Sequence, residues 1–129
     1  AVFYRTDRLE LLSEGTFWLS QTPELPSHGW DAALNRICTY GLFRHRASGR
    51  RFFMFNTHFD HIGQEARRES VQLILSKIQE INAEGFPAIL TGDLNLEPDT
   101  EPIQILSGSM TDACRPSWKT AVIWRGRLS

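Results

Sequence analysis

The residues best equipped for chemistry in this 129-residue chain stand at the ends of apolar runs. LTGDLNLEP, residues 90 to 98, carries a strand-like run into Gly92, then Asp93, then Asn95. NTHFDH, residues 56 to 61, follows the apolar FFMF and brings His58, Asp60 and His61. Asn35-Arg36 opens another apolar run. A carboxylate can hold a divalent cation or orient an attacking water. An amide can fix the nucleophile or a phosphate oxygen, and an imidazole or guanidinium can donate to charge building on phosphorus. These are the parts of a phosphoryl-transfer site. Each also has a structural reading. Asp93 and Asn95 suit a turn, His58 a hydrogen-bonded strand end, and Arg36 a surface ion pair, while Asp60 and His61 read as loop or supporting residues.

The elements that must position them follow from pattern. Residues 2–4 and 9–12 are strand candidates, and Ser13-Glu14-Gly15 turns the chain into 16–19, so a hairpin is predicted. Residues 21–31, with Pro23, Pro26, His28, Gly29 and Trp30, read as a loop long enough to be functional. Residues 36–44 and 51–56, joined by Ala47-Ser48-Gly49, predict a second hairpin. FFMF is apolar on both faces, which suits a strand buried between a helix layer and another sheet.

Between Gln64 and Glu84 the period changes. Val71, Ile74, Leu75, Ile78 and Ile81 fall at helical spacing, with Gly85 and Pro87 marking the end. Residues 88–91 predict a short buried strand. Asp99-Thr100 can cap a brief helix through Leu106, with Glu101 and Pro102 in its first turn, and 110–113 predict one more strand. The class is α/β (α+β) with a largely antiparallel start.

Length fits one domain, and a net charge of -1 supplies no overall basic field for nucleic acid or anionic membrane. Arg50-Arg51 and Arg67-Arg68 read as solvated flanks. Cys38 and Cys114 are too few for a disulfide scaffold or a zinc knuckle and read as small buried hydrophobes. No apolar run reaches membrane-spanning length, and no internal repeat is present. The chain opens in mid-pattern, as a fragment does.

Taken together, NTHFDHIGQEARRES followed one helix later by PAILTGDLNLEPDTEPIQIL resembles the endonuclease/exonuclease/phosphatase (DNase I-like) superfamily. FWLSQTPELPSHGWDAALNRICTYGLF is similar to the upstream part of bacterial members. The resemblance spans residues 5 to 113. It implies part of a four-layer αββα sandwich of mixed, largely antiparallel sheets. Residues 1–113 would form the central part of one domain, with 114–129 a tail that does not match.

By the same resemblance His58 contacts the scissile phosphate, and Asp93 orients or deprotonates the attacking water near a Mg2+ (or Mn2+) ion. Asn95 binds a phosphate oxygen or helps place the nucleophile, with Asp93 and Asn95 as the metal-side pair. Arg36 contacts phosphate, Asn56 and Thr57 support His58, and Gly92 and Pro98 shape the turn. The family's upstream Asn and Glu, the latter its principal metal ligand, and its terminal Asp-His pair are not found in this sequence.

The implied function is metal-dependent phosphoester hydrolysis by in-line water attack, of nuclease-like phosphodiesters first. The partner would be a phosphate-ester substrate, nucleic acid among the candidates. The alternative is a non-catalytic or incomplete domain that serves as a binding module or needs a partner chain.

Overall fold

A computed structural model describes residues 1–97, 99–112 and 124–126. The chain runs β1 (Leu9–Trp18), β2 (Ile37–His45), β3 (Arg51–His58), α1 (Gln64–Ile81), β4 (Ala88–Asp93), α2 (Glu101–Ser109), β5 (Thr111–Asp112) and β6 (Trp124–Gly126). These strands make one mixed sheet in the order β1-β2-β3-β4-β6-β5. Only β3 and β4 pair in parallel, because α1 carries the chain back between them. The α+β class stands as expected, and sheet and helices form two adjacent layers.

Alternation along the strands separates two faces. Phe17, Phe53, Phe55, Ala88 and Leu90 point inward and pack with Val71, Ile74 and Ile78 of α1 and with Ile103 and Leu106 of α2. The opposite face carries Leu11, Phe43, Phe52, Met54 and Ile89 at one end, where Phe43 stacks on Phe52 at 5.6 Å and meets Tyr4 edge-on at 4.9 Å. FFMF is therefore not covered equally. Phe53 and Phe55 are buried under the helices, while Phe52 and Met54 remain half-buried on the outer face.

The first predicted hairpin is overturned. Residues 9–18 form a single strand paired with β2 along its length, and Ser13-Glu14-Gly15 lies inside it. A register shift between Leu11 and Ser13 absorbs one residue as a bulge. Gly15 is there for space: a Cβ would stand 2.4 Å from the Tyr40 hydroxyl. The segment 2–4 is not a strand. The second hairpin, the 88–91 strand and the 110–113 strand appear near their predicted places, with β4 running on to Asp93.

The helix α1 ends at Ile81, three residues short of the predicted Glu84. Asn82 takes over there, donating to Phe86 O at 2.6 Å and accepting from Phe86 N at 2.9 Å. Thr100 is the N-cap of α2 as expected, but its hydroxyl turns back to Glu97 O at 2.8 Å. Cys38 is free and buried, and burial pushes its thiol pKa up, so it packs as a small apolar group. Cys114 and Pro98 lie outside the described residues.

A long-range contact starts α1. Its N-cap is Gly63, which has no side chain to offer. Asp31, from the loop before β2, accepts from Ala66 N at 2.7 Å and from Glu65 N at 3.3 Å. A Cβ at position 63 would meet the Asp31 carboxylate at 2.6 Å. The predicted long loop thus caps the helix whose N-terminus stands beside the strand ends. Asp31→Ala should lower unfolding free energy by about 1 kcal/mol, read by urea denaturation, with Asp31→Asn losing less. An unchanged midpoint in Asp31→Ala would contradict the capping role.

Candidate functional site

The polar end of the outer face holds the candidate site. Parallel pairing sets Asn56 opposite Thr91 and His58 opposite Asp93. Thr91 Oγ1 donates to Asn56 Oδ1 at 2.9 Å. His58 Nε2 stands 3.6 Å from Asp93 Oδ2, with both side chains partly open to solvent. That distance is too long for a direct hydrogen bond and leaves both groups able to take another partner. Asn35, Arg36, Thr39, Asn56 and His58 line a groove of about 520 Å3 on this face.

The GDLN turn explains how Asp93 is presented. Gly92 has φ +137°, and a Cβ there would lie 1.7 Å from Thr57 O, so only glycine lets β4 run this close to β3. Asp93 Oδ1 then accepts from Asn95 N at 3.0 Å, an Asx turn that leaves Oδ2 toward His58. Asn95 sits at φ +49°, a conformation Asn tolerates well. Its side-chain Nδ2 donates to Phe59 O at 2.8 Å, and Phe59 N donates to Asp93 O at 2.9 Å, tying the two strand-end loops together. The turn reading and the site reading of this motif are compatible. The same residues make the turn and aim the carboxylate.

Asp60 organises the neighbouring loops. Its buried carboxylate accepts from Ala33 N at 2.9 Å, Leu34 N at 3.1 Å, Ile62 N at 3.1 Å and Gly63 N at 2.8 Å. Burial alone would raise its pKa, but the four backbone donors win and hold it well below the usual carboxylate range. Arg36 Nε approaches Asp60 Oδ1 at 3.4 Å, and Arg36 Nη2 meets His61 Nδ1 at 3.1 Å.

Of the four predicted site residues, His58 and Asp93 face each other. Asn95 adjoins them through its backbone while its Nδ2 is committed to Phe59. Arg36 lines the same groove as His58, with its guanidinium held from behind by Asp60 and His61. Asp60, expected as a loop or supporting residue, supports two loops at once. The available signal was an acidic side chain three residues ahead of a helix N-cap that cannot cap itself. Among the described residues no group of three or more His, Cys, Asp or Glu side chains could hold a metal ion.

No family model matches the chain. It is 34% identical over 99 residues to an uncharacterized protein of Acanthamoeba polyphaga mimivirus, covering 74% of this chain and 37% of that protein. Among solved structures it is similar to the mannosyl-6-phosphatase of Bacteroides thetaiotaomicron VPI-5482, with TM-score 0.88 and 34% identity, over 95% of this chain and 55% of that one. It is also similar to the endonuclease/exonuclease/phosphatase from Bacteroides vulgatus, with TM-score 0.85 and 35% identity, over 95% and 56%. The chain spans about half the length of these solved relatives.

The depressed pKa of Asp60 makes an acid-side prediction. Its contribution to stability is complete above the unfolded carboxylate pKa of about 3.9 and is lost as pH falls below that value. Asp60→Asn replaces an acceptor oxygen by a donor facing backbone N–H groups and should cost on the order of 3 kcal/mol at neutral pH. Urea unfolding across pH should show a steeper loss below about pH 4 in the parent than in Asp60→Asn. Parallel pH profiles would contradict this role.

Proposed function

The chain matches the endonuclease/exonuclease/phosphatase superfamily, a family of phosphoesterases, in fold and in sequence, and on that premise we propose that the His58–Asp93 groove hydrolyses a phosphate ester by direct attack of water on phosphorus. The observation that carries this reading is the 3.6 Å approach of His58 to Asp93, which comes from parallel pairing, with His58 on the edge of a groove that Arg36 and Asn56 also line. Asp93 Oδ2 accepts a hydrogen bond from the attacking water and turns its lone pair toward phosphorus. His58 and Arg36 donate to the non-bridging oxygens as charge builds there. Asn95 holds the carboxylate through its backbone N–H, and its Oδ1 is left for a ligand.

Mg2+ or Mn2+ is the proposed cofactor. Asp93 brings one carboxylate, and Mg2+ is commonly held by one or two carboxylates with substrate phosphate and water completing its shell. Among the described residues Asp93 is the single carboxylate this chain offers there, so such an ion would be held by Asp93, with Asn95 beside it, and largely by the substrate. When bound, such an ion polarises the phosphoryl oxygen.

The motifs read as nuclease-like and favour a phosphodiester. A second reading, a sugar phosphomonoester, is favoured by the 34% identity to a mannosyl-6-phosphatase and by the absence of a net basic charge for a polynucleotide. Steady-state assays of the whole protein with Mg2+ on bis-p-nitrophenyl phosphate and on mannose 6-phosphate separate the two. On the preferred substrate Asp93→Ala should lower kcat by about a hundredfold or more, and chelation by EDTA should abolish turnover. Full activity in Asp93→Ala would refute the assigned role.

A further inference from the structure

Arg36 has three nitrogens, and their commitments differ. Nε is directed at Asp60 Oδ1 and Nη2 at His61 Nδ1. A guanidinium only donates, so His61 Nδ1 is the acceptor and its ring proton lies on Nε2. Asp60 itself is fixed by the backbone N–H groups of residues 33, 34, 62 and 63, so it is a rigid stop and not a mobile surface acid. The Arg36 side chain is 15% exposed and borders the groove that also holds Asn56 and His58. Nη1 is the nitrogen left for a ligand there.

We infer that Asp60 and His61 are positioning residues for Arg36: by taking Nε and Nη2 they fix the plane of the guanidinium and leave Nη1 to the phosphoryl group in the groove. An arginine on a flexible stem binds an oxyanion only after its rotamers are frozen, and an unheld side chain loses that advantage at each encounter. Here two partners behind the guanidinium freeze it before substrate arrives. A contact from the carboxylate at Nε alone would leave the guanidinium free to turn about it, whereas the second contact from His61 at Nη2 sets the plane. The role rests on the proposed phosphoesterase reading, since it is Arg36's contact with phosphate that the pair serves.

Two measurements on the whole protein test it. Long-range 1H–15N correlation should find the His61 proton on Nε2 with Nδ1 bare, and a proton on Nδ1 overturns the proposal whatever the substrate proves to be. In kinetics on the preferred phosphate ester, Arg36→Ala should lower kcat/KM about tenfold, and His61→Ala should lower it several-fold. His61→Gln, whose amide oxygen can accept from the guanidinium, should recover most of the loss. In the Arg36→Ala background His61→Ala should add nothing, because it acts only through Arg36. Independent, additive losses overturn the positioning role while leaving the phosphoesterase reading intact. Full activity in Arg36→Ala with loss in Asp93→Ala removes Arg36 from the site and the proposal with it. Full activity in both removes the underlying reading.

Discussion

Four backbone N–H groups and a guanidinium converge on the buried carboxylate of Asp60. They come from two loops, one leading into β2 and one leaving β3. A buried charge is tolerable only when its oxygens are this fully served. Its presence therefore forces both loops into one arrangement. Arg36 and His61 are held in place by it, and the chain leaving His58 is bent toward the start of α1. Asp31 completes the arrangement from the same loop by capping α1 at Glu65 and Ala66. The strand ends that could meet a phosphate are thus braced by polar contacts placed behind them.

In front of that bracing, backbone pairing does the positioning. His58 and Asp93 meet because β3 and β4 are parallel and in register, and a slip of one residue would turn one of them into the core. Gly92 permits the close approach to Thr57, and the Asp93–Asn95 turn spends one carboxylate oxygen on structure while leaving the other for chemistry. The backbone on either side of His58 and Asp93 is thereby fixed before any ligand arrives, as the proposed electrostatic stabilisation of a phosphoryl group would require.

Much of this was legible in the sequence where the signal is local. The helical period of 71, 74, 78 and 81, the second hairpin and the polar strand ends read directly from residue type and spacing. The first hairpin did not, because Ser13-Glu14-Gly15 has turn composition while its extended conformation comes from pairing with residues 40–42 of the neighbouring strand. Asp60 was read as supporting, but its partners at 33 and 34 lie 26 and 27 residues away and leave no local mark. For Arg36 a phosphate contact is legible from residue type at a strand start and by resemblance, while the hold of Asp60 and His61 on its guanidinium appears only in three dimensions. The one-sided burial of FFMF likewise depends on which layers are present, not on the residues themselves.

The central claim is that His58 and Asp93 flank one oxyanion pocket at the ends of two parallel strands. A crystal structure of the whole protein soaked with vanadate tests it most directly. The account predicts the oxyanion in the groove with His58 Nε2 and Arg36 Nη1 within hydrogen-bond reach and Asp93 facing its metal or water side. Vanadate bound elsewhere, or His58 turned away from Asp93 with the oxyanion in place, would contradict it.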